Sequence, residues 1–237
     1  MLPKIIWKGS PNYGLPRGTQ GRNGYKVMAI VDHIMAGTLI GTDTWFNNRD
    51  SQVSAHFGVG KSGEIHQYVD IKNTAWHTGN VRNPTWSLLR PTINPNLYTI
   101  GVEHEGQTGD IITGEQYQAT LTLHKWLIDQ LGIEPSSETI IGHYRIDSVI
   151  KAHCPGTGFP WDRLLTDLTQ EESEQVEQVN VIEKGILYNA FRYNGETYVE
   201  LRAYTAQDNK AVSWNEASKT AAVTGGKLEE IKAIIEG

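Results

Sequence analysis

The chain has 237 residues, of which 38% are hydrophobic and 20% charged, with a formal net charge of −6. That length holds one well-packed domain with a small second one, and the composition is that of an ordinary globular protein. The acidic balance argues against a nucleic acid held through its phosphates, and no apolar run reaches the length of a membrane span, so membrane insertion is not expected.

The opening MLPKIIWKGSPNYG lacks the long apolar stretch and small-residue cleavage site of a secretory leader. Synthesis in the cytoplasm, with exit only if something else arranges it, is the expectation. VMAIVDH (27–33) is a short apolar run rich in β-branched residues and predicts a buried strand. VSAHFGVG (53–60) and EIHQYVD (64–70) flank Lys61-Ser62-Gly63, a hairpin signal. YTIGVEHEG (98–106) predicts another strand. In EQYQATLTLHKWLIDQL (115–131), Tyr117, Leu121, His124, Leu127, Ile128 and Leu131 share one helical face. Thr113 followed by Gln116 fits a capping box, and Gly132 fits the stop. ETIIGHY (138–144) predicts a last short strand. Strands alternating with a helix and long loops predict an α/β fold, a mixed central β-sheet flanked by helices.

Charge and histidine are unevenly spread. All eight histidines lie between residues 33 and 153, and residues 1–170 hold 14 basic and 15 acidic side chains against 7 and 12 in 171–237. Between the two regions runs TQEESEQVEQVN (169–180), polar enough to be a solvated linker or an exposed helix. The expected organisation is a main, histidine-bearing domain over 1–168, a linker over 169–181 and a small α+β domain over 182–237. In the tail, Asn194-Gly195 is a hairpin signal, Leu201-Arg202-Ala203 can begin a helix, and LEEIKAIIEG (228–237) reads as helical.

A lone cysteine builds no disulfide scaffold, which leaves Cys154 as a nucleophile, a metal ligand or a buried small hydrophobe. Catalytic zinc sites offer three protein ligands and keep one position open. His33 at one strand end, His143 at another and Cys154 in the following loop are candidates for such a set, though spacing alone does not separate ligands from structural residues. A Cys154–His153 nucleophile pair competes. Adjacent residues on an extended chain point to opposite sides, which disfavours it.

Five blocks carry a resemblance: VDHIMAG, SAHFGVGKSGEIHQYVD, TAWHTGN, IGVEHEG and GHYRIDSVIKAHCPG, in that order over roughly residues 25–165. Together they resemble the N-acetylmuramoyl-L-alanine amidases of the type-2 amidase and peptidoglycan-recognition-protein superfamily, in wording most like the phage endolysin branch. The resemblance implies Zn2+ held by His33, His143 and Cys154, with Cys154 as thiolate, and Glu103 as the catalytic carboxylate. Alternation puts Glu105 on the same strand face as Glu103, so it is the motif register that selects Glu103. Many relatives carry Lys or Thr two residues before the cysteine to polarise the substrate carbonyl. Here that position is Ala152, which leaves Lys151 or His153 for the role. His56, His77 and Trp76 fall in blocks that line the substrate groove of relatives, whereas His66, His104 and His124 read as structural or surface residues. Peptidoglycan is the implied substrate, and a phage or prophage lysin freed from the host cytoplasm to act on the cell wall is the implied setting. A recognition module that binds peptidoglycan without cutting it is the alternative. In the tail, GETYVELRAY…AVSWNEASKTAAV resembles the stalk-type domain first named from copper amine oxidase N-termini, which implies wall targeting or a folded spacer.

Overall fold

The computed structural model describes residues 3–170 and, beyond them, the strand segments 177–183, 186–193, 196–199, 211–215 and 220–224. The chain separates into two compact units, 1–170 and 171–237.

The first unit is built on six strands: β1 (Ile5–Trp7), β2 (Ala29–Ile34), β3 (Phe57–Val59), β4 (Ile65–Gln67), β5 (Thr99–His104) and β6 (Ile140–Gly142). They lie in the order β1-β4-β3-β5-β2-β6. β2 is parallel to both neighbours, β3 is parallel to β5, and only β3–β4 is antiparallel. The sheet is therefore mixed, as the sequence predicts, with the Lys61-Ser62-Gly63 turn closing the one hairpin. Three helices accompany it: α1 (Leu39–Asn47), α2 (Gly114–Leu131) and α3 (Trp161–Thr169).

Period-two alternation decides which side each β2 residue serves. Ile30 packs with Leu123 and Leu127 of α2 and Leu164 and Leu168 of α3, while Ala29 and Val31 pack with Trp86, Tyr98 and Ile146 on the other face. A strand buried on both faces reads as a continuous apolar run, which is why 27–31 is so legible. α2 starts where expected: the Thr113 hydroxyl accepts the Gln116 N–H at 3.1 Å, and Gly132 closes the helix in the left-handed region at φ 63°. Its buried face is centred on Leu123, with Leu121, Ile128 and Leu131 at the margin. The face read from sequence is rotated slightly from this one: Gln116, Thr120 and Leu123 turn inward, and the Gln116 side-chain amide donates to the Val59 and Glu105 carbonyls at 3.0 Å.

In the second unit, β7 (Glu177–Glu183), β8 (Ile186–Tyr193) and β9 (Glu196–Val199) form an antiparallel sheet, and β10 (Ala211–Asn215) pairs antiparallel with β11 (Thr220–Thr224). Residues 177–181, expected as linker, belong to β7; Val179 and Val181 carry a two-residue period that the acidic run before them conceals. Tyr193 pairs with Glu196, as a two-residue connection requires. Asn194-Gly195 itself, the helix start at 201–203 and the helix over 228–237 lie outside the described residues.

Leu123 is fully buried between α2 and the sheet. Leu123→Ala is expected to lower the unfolding free energy of the first unit by about 2–5 kcal/mol, read by urea denaturation followed through tryptophan fluorescence.

Candidate metal centre

Parallel strands gather their C-terminal ends at one edge of the sheet, where α/β proteins place their ligand sites. His33 on β2 and Glu103 on β5 are register partners at that edge, and so point to the same side. His143 follows β6 directly, in the 3-10 turn His143–Arg145. The loop after it folds back on itself. The Asp147 carboxylate accepts the N–H groups of Val149 and Ile150 at 3.1 and 2.9 Å, Cys154 N–H donates to Lys151 O at 2.9 Å, and Tyr144 N–H donates to Cys154 O at 3.2 Å. These bonds bring Cys154 beside both histidines: the ligand atoms of His33, His143 and Cys154 all lie within 4.8 Å of one another, and all three residues are buried.

The hydrogen-bond network assigns the histidine tautomers. The Thr99 hydroxyl donates to Pro95 O at 2.8 Å, so toward His77 Nε2 at 3.2 Å it acts as acceptor. His77 Nδ1 is then a bare lone pair and receives His33 Nε2–H at 3.0 Å. His143 Nε2–H donates to the Thr78 carbonyl at 2.9 Å. Both ligand histidines have thus spent their proton on Nε2, and their Nδ1 lone pairs face each other at 2.9 Å. Protonation does not relieve this contact near neutrality. Burial pushes His143 down to about 4 and His33 well below its usual value, where the charges of His143, His77 and Lys151 push the same way.

The Cys154 Sγ lies 4.0 Å from His33 Nδ1 and accepts Ile34 N–H at 3.4 Å. Burial, followed by the nearby Glu103 charge, pushes its thiol up to about 12. Two converging lone pairs and a thiol suit a divalent cation, which relieves the lone-pair contact and deprotonates the sulfur. Two imidazole nitrogens with one sulfur are the donor types of a borderline-soft metal. The residues present fit a metal ion.

Beside these donors opens a cleft of about 600 Å³, lined by His33, Glu103, His143, Lys151 and Cys154, with Trp45 and Trp76 among its other walls. Glu103 has a buried Oε2 with no hydrogen-bond partner among the described residues. Burial raises its carboxyl to about 7, and Lys151 pulls the other way. Of the two residues expected to polarise the substrate, Lys151 lines the cleft, whereas His153 is exposed and does not; the backbone bend at 151–154 turns Cys154 inward and His153 outward.

His56, expected at the groove, does not line it. Its Nδ1 accepts Gly101 N–H at 3.0 Å, and its Nε2 lies 3.1 Å from Asn73 O and 2.8 Å from Arg22 Nη2, so both nitrogens serve the interior. His77 lines the cleft, but its ring nitrogens are engaged by His33 and Thr99. Trp76 lines it too, anchored by its indole N–H on Gly14 O at 2.9 Å and covered by the Arg17 guanidinium 4.9 Å from the ring. His66, His104 and His124 lie elsewhere, beside Asp43, Asp32 and Asp32 respectively. Sequence reasoning missed Trp45 on α1 and the supporting set Asn96, Thr78 and Thr99. Thr78 acts through its carbonyl, a group every residue has, and so leaves no signal in the sequence.

Two histidines, a loop cysteine and a carboxylate with one buried, unpartnered oxygen thus gather beside the C-terminal ends of parallel strands, an arrangement suited to metal-assisted hydrolysis. Comparison with known proteins sharpens this. The sequence profile of the N-acetylmuramoyl-L-alanine amidase family matches residues 23–157, and the chain belongs to that family. It is 30% identical over 152 residues to N-acetylmuramoyl-L-alanine amidase A of Achromobacter lyticus, covering 56% of this chain and 78% of that one. It is 32% identical over 120 residues to the 1,6-anhydro-N-acetylmuramyl-L-alanine amidase AmpD of Escherichia coli K12, covering 51% of this chain and 61% of the relative. Among solved structures, a selenomethionine derivative of AmpD superposes with a TM-score of 0.57 at 24% identity, covering 70% of this chain and 94% of that one. The endolysin LysCS of Clostridium intestinale superposes with a TM-score of 0.51 at 17% identity, covering 72% and 99%. At these identities the structural likeness establishes the shared fold.

A Cβ added at Gly101 would meet the His77 ring at 2.5 Å. Gly101→Ala is therefore expected to displace His77, and with it His33, lowering metal affinity by roughly tenfold or more in a chelator competition assay.

Proposed function

We propose that this protein is a zinc-dependent amidase that cleaves the bond between N-acetylmuramic acid and the first L-alanine of the peptidoglycan stem. The observation that carries the reading is the half-buried Glu103, whose carboxylate oxygen Oε2 is buried without a hydrogen-bond partner among the described residues and which lines the same cleft as three converging metal donors. A carboxylate in such surroundings is costly unless chemistry uses it. The named activities of the amidase relatives support the substrate, and the donor set of two histidines and a cysteine supports zinc.

Zinc, when held by His33, His143 and Cys154, supplies a Lewis acid that polarises the amide carbonyl and acidifies water. The chain's own groups do the rest. Glu103, as carboxylate, takes a proton from the attacking water while the new carbon–oxygen bond forms. It then returns that proton to the alanine nitrogen as the carbon–nitrogen bond breaks. The Lys151 ammonium offsets the negative charge that develops on the carbonyl oxygen, a contribution typically worth about 3–4 kcal/mol. His77 and the Thr78 carbonyl keep both ligand histidines in the tautomer that presents Nδ1. Trp45 and Trp76 offer apolar walls to the substrate.

The setting we propose is that of a phage or prophage lysin made in the host cytoplasm and released to the wall. The second compact unit supports this over the recycling of small wall fragments, for which one domain is enough. In that setting the second unit, with its stalk-like sequence, serves as a wall-targeting element or spacer.

With purified cell walls, the enzyme is expected to lower turbidity and expose new L-alanine amino termini, to stop in excess 1,10-phenanthroline, and to recover on adding Zn2+. Chelator-resistant release would refute the metal reading, and hydrolysis confined to small soluble muramyl peptides would refute the lysin setting. Glu103→Gln is expected to reduce kcat by about 10²–10⁴-fold while bound zinc stays stoichiometric. Because the base must be ionised, kcat/KM should rise with pH through the Glu103 pKa, which burial raises to about 7 in the metal-free protein and a bound cation brings below that. The Lys151 charge lowers that value, so Lys151→Ala should move the rising limb to higher pH as well as slow turnover, whereas His153→Ala should leave both unchanged.

A further inference from the structure

Behind the two ligand histidines lies a side chain to which the reaction assigns no task. Asn96 sits in the 3-10 turn Pro95–Leu97, only 6% exposed. Its amide oxygen accepts two consecutive backbone N–H groups, those of His77 and Thr78, each at 3.0 Å. An amide oxygen has two lone pairs, and both are used here. The two residues it holds are the two that hold the ligands: His77 Nδ1 receives His33 Nε2–H, and the Thr78 carbonyl receives His143 Nε2–H.

The turn carrying Asn96 is itself pinned. The buried Arg22 guanidinium donates to the carbonyls of Asn96, Leu97 and Thr99 at 3.1, 3.3 and 3.1 Å, and through Nε to Ile71 O at 3.0 Å. Asn94 accepts the Asn96 N–H at 3.0 Å. Burial lowers Arg22 to about 10, so it stays charged near neutrality and its bonds to these carbonyls persist.

We propose that the Asn96 amide oxygen is the positioning group for both histidine ligands at once. By fixing the backbone at residues 77–78, it aims one ring and one carbonyl at the two Nε2–H groups and so sets both imidazoles with Nδ1 toward the metal. One ligand lies on β2 and the other in the turn after β6, and they reach their acceptors separately, yet both acceptors depend on one oxygen. Outer-shell partners of metal-bound histidines are commonly worth about 10–100-fold in metal affinity, and a group that serves two ligands belongs at the upper end of that range. This rests on the metal reading above.

The test uses the full chain and Zn2+ itself, in competition with a chromogenic chelator, alongside 15N imidazole NMR of the metal-free protein. Asn96→Ala and the volume-matched Asn96→Leu both remove the acceptor. They are expected to weaken zinc binding by about 30–100-fold and to give mixed tautomers at both His33 and His143 in the metal-free protein. Asn96→Asp, whose carboxylate accepts the same two N–H groups, should restore affinity to within a few-fold. Thr99→Val cuts only the arm through His77, so it should disturb the His33 signals and leave those of His143. Unchanged affinity and tautomers in Asn96→Ala or Asn96→Leu would overturn the proposal, as would an equal loss in Asn96→Asp. If the parent protein binds no zinc, the metal reading itself fails, and the tautomers of the metal-free protein still decide whether Asn96 positions the two rings.

Discussion

Two imidazole nitrogens facing each other at 2.9 Å, each presenting a lone pair, form the contact on which this structure turns. The contact is unfavourable in isolation and persists because each ring is held from behind, by His77 on one side and the Thr78 carbonyl on the other. Burial prevents the simple relief of protonating one ring. The fold thus holds an arrangement that a cation stabilises.

Charge on the opposite side of the sheet is arranged with similar economy. Asp32 precedes His33 and points to the other face, where its carboxylate lies 3.3 Å from His104 Nε2 and 3.1 Å from His124 Nε2. The other ring nitrogen of His124, Nδ1, lies 2.8 Å from the Thr120 carbonyl one turn back along α2. Alternation along β2 and β5 therefore places His33 and Glu103 on one face and the buried Asp32, His104 and His124 cluster on the other. Glu103 and His104 divide in the same way, one toward the cleft and one toward α2 and α3.

The C-terminal ends of parallel strands accept this chemistry because their neighbours come from distant parts of the chain. β2, β5 and β6 end side by side although about 70 and 40 residues separate them in order. Side chains at such an edge can converge without crowding the hydrogen-bonded ladder. The loop from His143 to Cys154 then needs only a few local turns to bring in the sulfur.

Much of this was legible in the amino-acid order. The double-sided burial of β2, the hairpin at Lys61-Ser62-Gly63, the capped α2 and the triad His33, His143 and Cys154 each carry a local pattern or a motif block. Local patterns are written in nearest-neighbour chemistry, which the sequence states directly. What the sequence does not write is where separate segments meet. That His153 turns outward while Lys151 lines the cleft, that His56 braces the interior, and that Asn96 serves both ligand histidines all depend on side chains and carbonyls brought together from different elements. Those placements follow from packing and from the need to satisfy every buried donor, and only the assembled tertiary structure resolves them.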